Sequence, residues 1–275
     1  MGQFKKFRST AVSLLGAGML VLAGCGGGGG GGGSGLSIPA GAVTLTEANA
    51  ESMARAGFAQ VDMATATSGF AFKSGETPSI QGAINLALDQ IFADRLAARS
   101  IATGVTETIP CDFGSITFTG DSGATSASGS MSFNSCDLGG IVVNGSFSFS
   151  ATFNNAGDYT VNADGTLSFA FDTEQFTIAM DMNGSGNDFS GDFSQSINFS
   201  ISGITGGGFL FTTVVPMTGN EFALTITGGQ FIISGAGGTR IRVTVVGTNL
   251  IDIELDDGSG TFQPHSSGVY IGPIT

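Results

Sequence analysis

The chain has 275 residues, 41% of them apolar and only 11% charged, with 46 glycines, 23 phenylalanines, 2 tyrosines and no tryptophan. That length supports a substantial core. The low charge and high glycine content exclude a coiled coil, a long helical bundle and a charged disordered chain. A net charge of -13 argues against nucleic acid or another polyanion as the natural partner.

The first residues form a positive start (Lys5, Lys6, Arg8), then an uncharged apolar run from Ala11 to Leu22, then Leu22-Ala23-Gly24-Cys25. Basic, apolar and small segments in that order make an export signal. The apolar run is too short for an ordinary membrane-spanning helix, and no comparable run follows. The Leu-Ala-Gly-Cys ending resembles the lipobox of bacterial lipoproteins. The resemblance implies cleavage before Cys25, a diacylglycerol on its sulfur and an acylated new amino terminus. Gly26 stands where an Asp would favour inner-membrane retention in the family's sorting rule, so the implied destination is the outer membrane. Two or three acyl chains on one residue give stable anchoring, where one would be marginal. Loss of residues 1–24 would leave 6 basic and 22 acidic groups, and no Lys or Arg lies between Arg99 and Arg240.

Four segments follow: a lipoprotein signal peptide at 1–24, the lipidated Cys with a glycine tether at 25–35, a helical segment at 36–110, and an antiparallel β-domain at 111–275. As a flexible coil of ten residues, the tether would reach about 17 Å root-mean-square. Residues 46–64 read as a helix, with Thr46 as cap and Glu47 and Glu51 near its positive end. Its stripe of Met53, Ala56, Ala59 and Met63 is thin, and Gly57 weakens it. Residues 78–99 read as a second helix with Thr77 as cap, Pro78 in the first turn, and Ile80, Ile84, Leu88 and Ile91 on one face.

From about residue 113 the apolar period changes to 2. The clearest run is 189–201, with Phe189, Phe193, Ile197, Phe199 and Ile201 on one face. The same alternation marks Phe147-Phe149-Ala151-Phe153, Leu167-Phe169-Phe171, Phe176-Ile178-Met180, Phe222-Leu224-Ile226, Ile241-Val243-Val245 and Ile251-Ile253-Leu255. Turn signals separate the runs: Asn155-Ala156-Gly157, Asp164-Gly165, Asn183-Gly184, Gly206 to Gly208, Gly228-Gly229, Gly237-Gly238 and Asp257-Gly258. The expected fold is therefore mainly β. About ten strands form an antiparallel meander closing as a barrel or folding into a two-sheet sandwich, with two N-terminal helices. No fixed repeat of 20–50 residues stands out.

Cys111 and Cys136 form an even pair once Cys25 carries lipid, and an exported chain meets an oxidising compartment, so a Cys111–Cys136 disulfide is expected. The feature order resembles a group of proteobacterial β-rich lipoproteins: lipobox, a Thr-Glu-Ala-Asn-Ala helix start (46–50), Cys111 with Phe133-Asn134-x-Cys136, an Asn144-Gly145 strand and a Gly-rich hairpin ending at 228–260. That resemblance implies a fold and a location; it carries no activity and no catalytic residues.

Two groups of residues bear on chemistry. Gly120-Asp121-Ser122-Gly123 is similar to the surroundings of a nucleophilic serine, but such a serine needs a base, and the single histidine, His265, lies far downstream. A turn between strands is the working reading. Asp252, Glu254, Asp256 and Asp257 are a weak cation candidate. A calcium loop wants Gly directly after Asp256 and a carboxylate at the twelfth position, where Asp257 and Gln263 stand. Strand alternation with Ile251, Ile253 and Leu255 explains the first three as a wet face. One histidine and no spare thiols argue against a zinc or copper site, and no cofactor is expected. Alternating strands also build pores, but the aromatic girdles of such barrels are missing. The leading expectation is a non-catalytic envelope lipoprotein, a structural or interaction module. Its partners would be the membrane, through the anchor, and an envelope protein or polysaccharide. The alternative is a carrier barrel for a hydrophobic small molecule; a pore or an enzyme follows behind.

Overall fold

A computed structural model of the chain describes residues 36–65, 105–122, 125–137, 140, 142–171, 174–203, 207–220 and 222–272. Cys25, the tether and the expected second helix at 78–99 lie outside the described residues. Among the described residues one α-helix, α1 (Glu47–Thr65), precedes twelve strands: β1 (Val105–Pro110), β2 (Ser115–Ser122), β3 (Ser126–Asp137), β4 (Val142–Phe153), β5 (Asp158–Phe171), β6 (Glu174–Asn187), β7 (Asp192–Ser202), β8 (Phe209–Asn220), β9 (Thr225–Ser234), β10 (Arg240–Gly247), β11 (Leu250–Asp256) and β12 (Gln263–Tyr270). All pair antiparallel in sequence order within a single sheet. The expectation of a meander holds. The expected closure does not: β1 and β12 are the two ends of the strand order, so the strands form one open sheet, neither a hydrogen-bonded barrel nor a two-sheet sandwich. The sheet begins at Val105, inside the segment read from sequence as helical.

Alternation builds the core. Along β7, Phe193, Gln195, Ile197, Phe199 and Ile201 are buried and the residues between them are not. Register then stacks rings from neighbouring strands. Phe199 pairs with Phe211 of β8 and Phe211 lies beside Phe231 of β9; ring centroids are 4.4 and 4.5 Å apart. Phe169 and Phe176, paired across β5 and β6, stack at 4.9 Å. Such offset contacts add to the large area each ring removes from water.

Several strands run longer than expected. Asp164-Gly165 and Asn183-Gly184 are not turns: they lie inside β5 and β6, 14 residues each. Gly228-Gly229 lies inside β9. Gly165 shows why. A Cβ there would overlap Phe147 and the Ser146 backbone, so glycine is what lets β4 and β5 close up around a large ring. In the other direction, Phe189, Phe222 and Leu224 are not strand residues; they sit in turns and are exposed.

The first helix forms where the sequence places it, but turns a different face inward. Ala50 and Ala54 are fully buried and Gly57 is buried, at the i, i+4, i+7 spacing of one helical face. A Cβ on Gly57 would stand 3.1 to 3.2 Å from Phe231, Ile233 and Phe211, so the small residues let the backbone lie directly on the ring stack. Gly57 is thus a contact residue rather than only a weak point. At the amino end, the Thr46 N–H donates to Asn49 Oδ1 (2.8 Å), so the cap bond is supplied by Asn49. His265 Nε2 donates to the Glu47 carbonyl (3.0 Å) and Arg55 Nη1 to the Tyr270 carbonyl (3.1 Å), fastening α1 to edge strand β12.

Candidate functional site

The carboxylates singled out from the sequence sit on β11 and the turn after it. Register sets Arg240 opposite Asp256, Arg242 opposite Glu254 and Thr244 opposite Asp252. Arg242 grips Glu254 with two bonds, Nε to Oε2 and Nη2 to Oε1, each 2.6 Å. The fork geometry is the strong form of this contact. Arg240 binds Asp256 Oδ2 through Nε (3.0 Å) and Nη2, while Oδ1 accepts the N–H groups of Gly258 (3.0 Å) and Gly260 (2.9 Å). Both guanidiniums lie over the Phe262 ring, at 4.8 and 4.4 Å from its centroid. Asp252 accepts from Ser267 Oγ (2.7 Å) and the Gly268 N–H (2.8 Å), and Asp257 from the Ser259 N–H (3.2 Å). Asp252, Glu254 and Asp256 thus share a strand face, as expected, but their oxygens serve cross-strand bonds instead of converging on a cation. Among the described residues no three metal-ligating side chains cluster.

Ser122 ends β2, opposite Ala127, and His265 lies on β12, near the other edge of the sheet; they are not brought together. His265 Nδ1 meets the Ser266 hydroxyl at 2.8 Å. Cys111 and Cys136 are joined, as expected.

A second arrangement escaped the sequence reading. Asn154, Asn187 and Asn220 recur at 33-residue intervals, each at the end of a descending strand (β4, β6, β8). Each uses its side-chain oxygen to hold its own turn. Asn154 Oδ1 accepts from the Ala156 and Asp158 N–H groups (both 2.9 Å), Asn187 Oδ1 from Phe189 (2.9 Å) and Ser190 (3.0 Å), and Asn220 Oδ1 from Ala223 (2.9 Å). The amide nitrogens reach back to the preceding turn. Asn187 Nδ2 donates to the Ala156 carbonyl (3.0 Å) and Asp158 Oδ1 (2.7 Å); Asn220 Nδ2 donates to the Ser190 carbonyl (2.8 Å) and Asp192 Oδ1 (2.9 Å). Asn249, in the β10–β11 turn, is off this spacing and uses its oxygen differently: Oδ1 accepts from the Ile226 N–H of β9 at 2.8 Å.

These turns shingle. The Phe189 ring lies over Gly157 and the Phe222 ring over Gly191; a Cβ on either glycine would fall 2.7 or 2.6 Å from the ring above it. Both glycines also have positive φ (84° and 74°), which side-chain-bearing residues rarely adopt. The outward surfaces of the rings remain in water: Phe189 is 75% and Phe222 64% exposed.

The staircase and the carboxylate row share an electrostatic signature. Hydrogen bonds from Asn154 and Asn187 hold the Asp158 carboxyl below the usual range; Asn220 and Ser190 do the same for Asp192. Ser267 and the Gly268 N–H lower Asp252, and Arg240 foremost lowers Asp256. Burial raises Asp188. A lowered carboxyl contributes stability that is present above the unfolded value of about 3.9 and is lost as pH falls through the folded value. Asp188 has the opposite sign and, as the single raised carboxyl against four lowered ones among the described residues, offsets only part. The thermal midpoint should therefore be nearly flat between about pH 5 and 8 and fall below about pH 4. A midpoint that rises on acidification to pH 3, followed by circular dichroism, would contradict this assignment.

No family model, curated protein or solved structure matches the chain.

Proposed function

We propose that the chain is a lipid-anchored lipoprotein of the bacterial outer membrane whose sheet serves as a non-catalytic structural or interaction module. The observation that carries the second half is how the fold employs its own reactive groups. The Asp256 and Glu254 carboxylates are spent on Arg240 and Arg242, and His265 on Glu47 and Ser266. On the outer face, hydroxyls bind one another across strands, as in Thr152–Thr160 (2.6 Å) and Ser168–Thr177 (2.9 Å). Such a surface is preorganised for contact rather than for proton transfer. The anchor half rests on Leu22-Ala23-Gly24-Cys25.

The test is the mass of the full chain purified from membranes of an expressing Gram-negative host. The expected species lacks residues 1–24 and carries acyl mass on Cys25, and Cys25→Ser abolishes that mass. An intact amino terminus in the wild type would overturn the anchor. A stoichiometric apolar molecule seen in the same native spectrum would replace the module by the carrier reading, whose support is the Phe-lined inner face.

A further inference from the structure

We propose that the turn rim bearing Phe189 and Phe222 is a binding platform for an extended, neutral, β-linked polysaccharide strand. This deepens the interaction-module reading and rests on it for the setting of the site.

Four observations converge. The two rings occupy equivalent places in successive turns: each follows an Asn at the strand end (Asn187, Asn220) and each is seated on the glycine of the turn before (Gly157, Gly191). Their mounting is rigid, because the same asparagines tie every turn to its neighbour. A flat ring fixed on one side and wet on the other is a stacking surface whose ordering cost has already been met by folding.

Spacing selects the ligand. The two turns are separated by two strands, so the rings stand about 9.5 Å apart from strand spacing alone. That is close to the disaccharide repeat of an extended β-1,4-linked chain, in which every second sugar presents the same apolar C–H face. A row of rings at this pitch meets such a chain in phase.

Charge selects against the alternatives. Asp158, Asp188 and Asp192 flank the rings, and no basic residue occurs between Arg99 and Arg240. An anionic polymer or an anionic lipid surface would be repelled, whereas carboxylates and amides hydrogen-bond well to neutral hydroxyls.

Position agrees. The amino-terminal segment enters at the other end of the strands, where the Val43 N–H donates to the Gly208 carbonyl (2.8 Å) and the Val43 carbonyl accepts from Ala236 (2.7 Å). Strands of 11 to 14 residues separate that end from the rim, a length of roughly 35–45 Å. The rim is therefore the end away from the proposed anchor.

The full chain in detergent should be titrated calorimetrically with two neutral probes, the β-1,4-linked hexamers of glucose and of N-acetylglucosamine, and with the matching disaccharides. At least one hexamer is expected to bind, and its disaccharide, too short to place two like faces on both rings, to bind at least tenfold more weakly. Phe189→Ala and Phe222→Ala should each weaken the hexamer roughly tenfold, from the loss of one ring contact. Phe222→Trp, which restores a stacking face, should retain binding. No heat from either hexamer overturns the proposal, as does a double alanine variant that binds like the wild type. Ring-dependent adsorption to phosphatidylethanolamine vesicles by Cys25→Ser protein would also overturn it, in favour of a membrane contact. Thermal melts of each variant establish that it is folded. The acyl mass on Cys25 is read from the same preparation, so failure of the anchor and failure of the platform are told apart.

Discussion

Phe211→Ala is expected to cost about 4 kcal/mol of unfolding free energy, within the range for removing a fully buried ring. Phe211 has no exposed surface and is the middle ring of a three-strand stack, 4.4 Å from Phe199 and 4.5 Å from Phe231. The buried face of α1 lies on the same rings at Gly57. Truncation removes the transfer free energy of the ring and leaves a cavity whose walls are held apart by sheet register on one side and helix backbone on the other. Neither can collapse into it. A midpoint in urea that drops with an unchanged slope would report this loss as stability alone. For a chain of this size, the thermal midpoint should fall by roughly 10 °C. Phe222→Ala makes the comparison pointed, because that ring is 64% exposed and its loss should cost less than about 0.5 kcal/mol. If the two variants were equally damaging, the assignment of stacked rings to the core and shingled rings to the surface would be wrong.

That contrast between two phenylalanines also marks what could be read from the sequence. Alternation identified the inner face of β7 and the buried rows of β5, β6, β10 and β11, because a strand with one wet side must bury every second residue. The same parity misplaced Phe189 and Phe222. Phe189 has the parity of Phe193, so the apolar pattern runs through the turn without a break. The distinguishing signal was polar: Asn187 and Asn220 open turns by accepting backbone N–H groups, and the successive 33-residue steps from Asn154 to Asn187 to Asn220 each record two strands. Glycine misled in the reverse sense at Asp164-Gly165. Whether such a pair is a turn or a gap for a neighbouring ring depends on what lies opposite, and Phe147 of β4 is not a sequence neighbour. Whether the strands would close was also hidden. Edge avoidance suggested a barrel or sandwich, but part of one edge is instead managed by α1 on β12, through His265 and Arg55. In the helix, methionines drew attention away from Ala50, Ala54 and Gly57, whose smallness is what the ring stack requires. The carboxylate row was placed correctly on one strand face, but that face is wet only at Asp252 and Glu254; Asp256 has no exposed surface, covered where Arg240 and the following turn close over it. Its cross-strand partners Arg240 and Arg242 could be assigned only once the register was known.

Removal of the Cys111–Cys136 bridge, as a double alanine variant, should cost about 3.5 kcal/mol in the loop-entropy model, since it releases a loop closed over 25 residues. The location sharpens the expectation. Cys111 follows β1, an end strand of the sheet, and Cys136 lies where the β3–β4 register shifts between Phe133 and Cys136. Around it, Ser135 adopts a positive φ of 48°, with its N–H accepted by Asn144 Oδ1 at 2.8 Å, and the Asp137 N–H donates to the Phe113 carbonyl at 2.8 Å. The bridge thus pins the β1–β2 turn to an irregular part of β3 where the ladder to β4 is interrupted. β1 has one paired neighbour, β2, so its amides should lose exchange protection first when the bridge is removed, ahead of β4 to β8. Cys136→Ser alone should be worse than the double alanine variant, because it places a hydroxyl at a site with no exposed surface and strands a thiol at Cys111. A loss below about 1 kcal/mol, with β1 protection intact, would mean that the β1–β3 corner is already ordered by its backbone bonds and that the bridge contributes little to it.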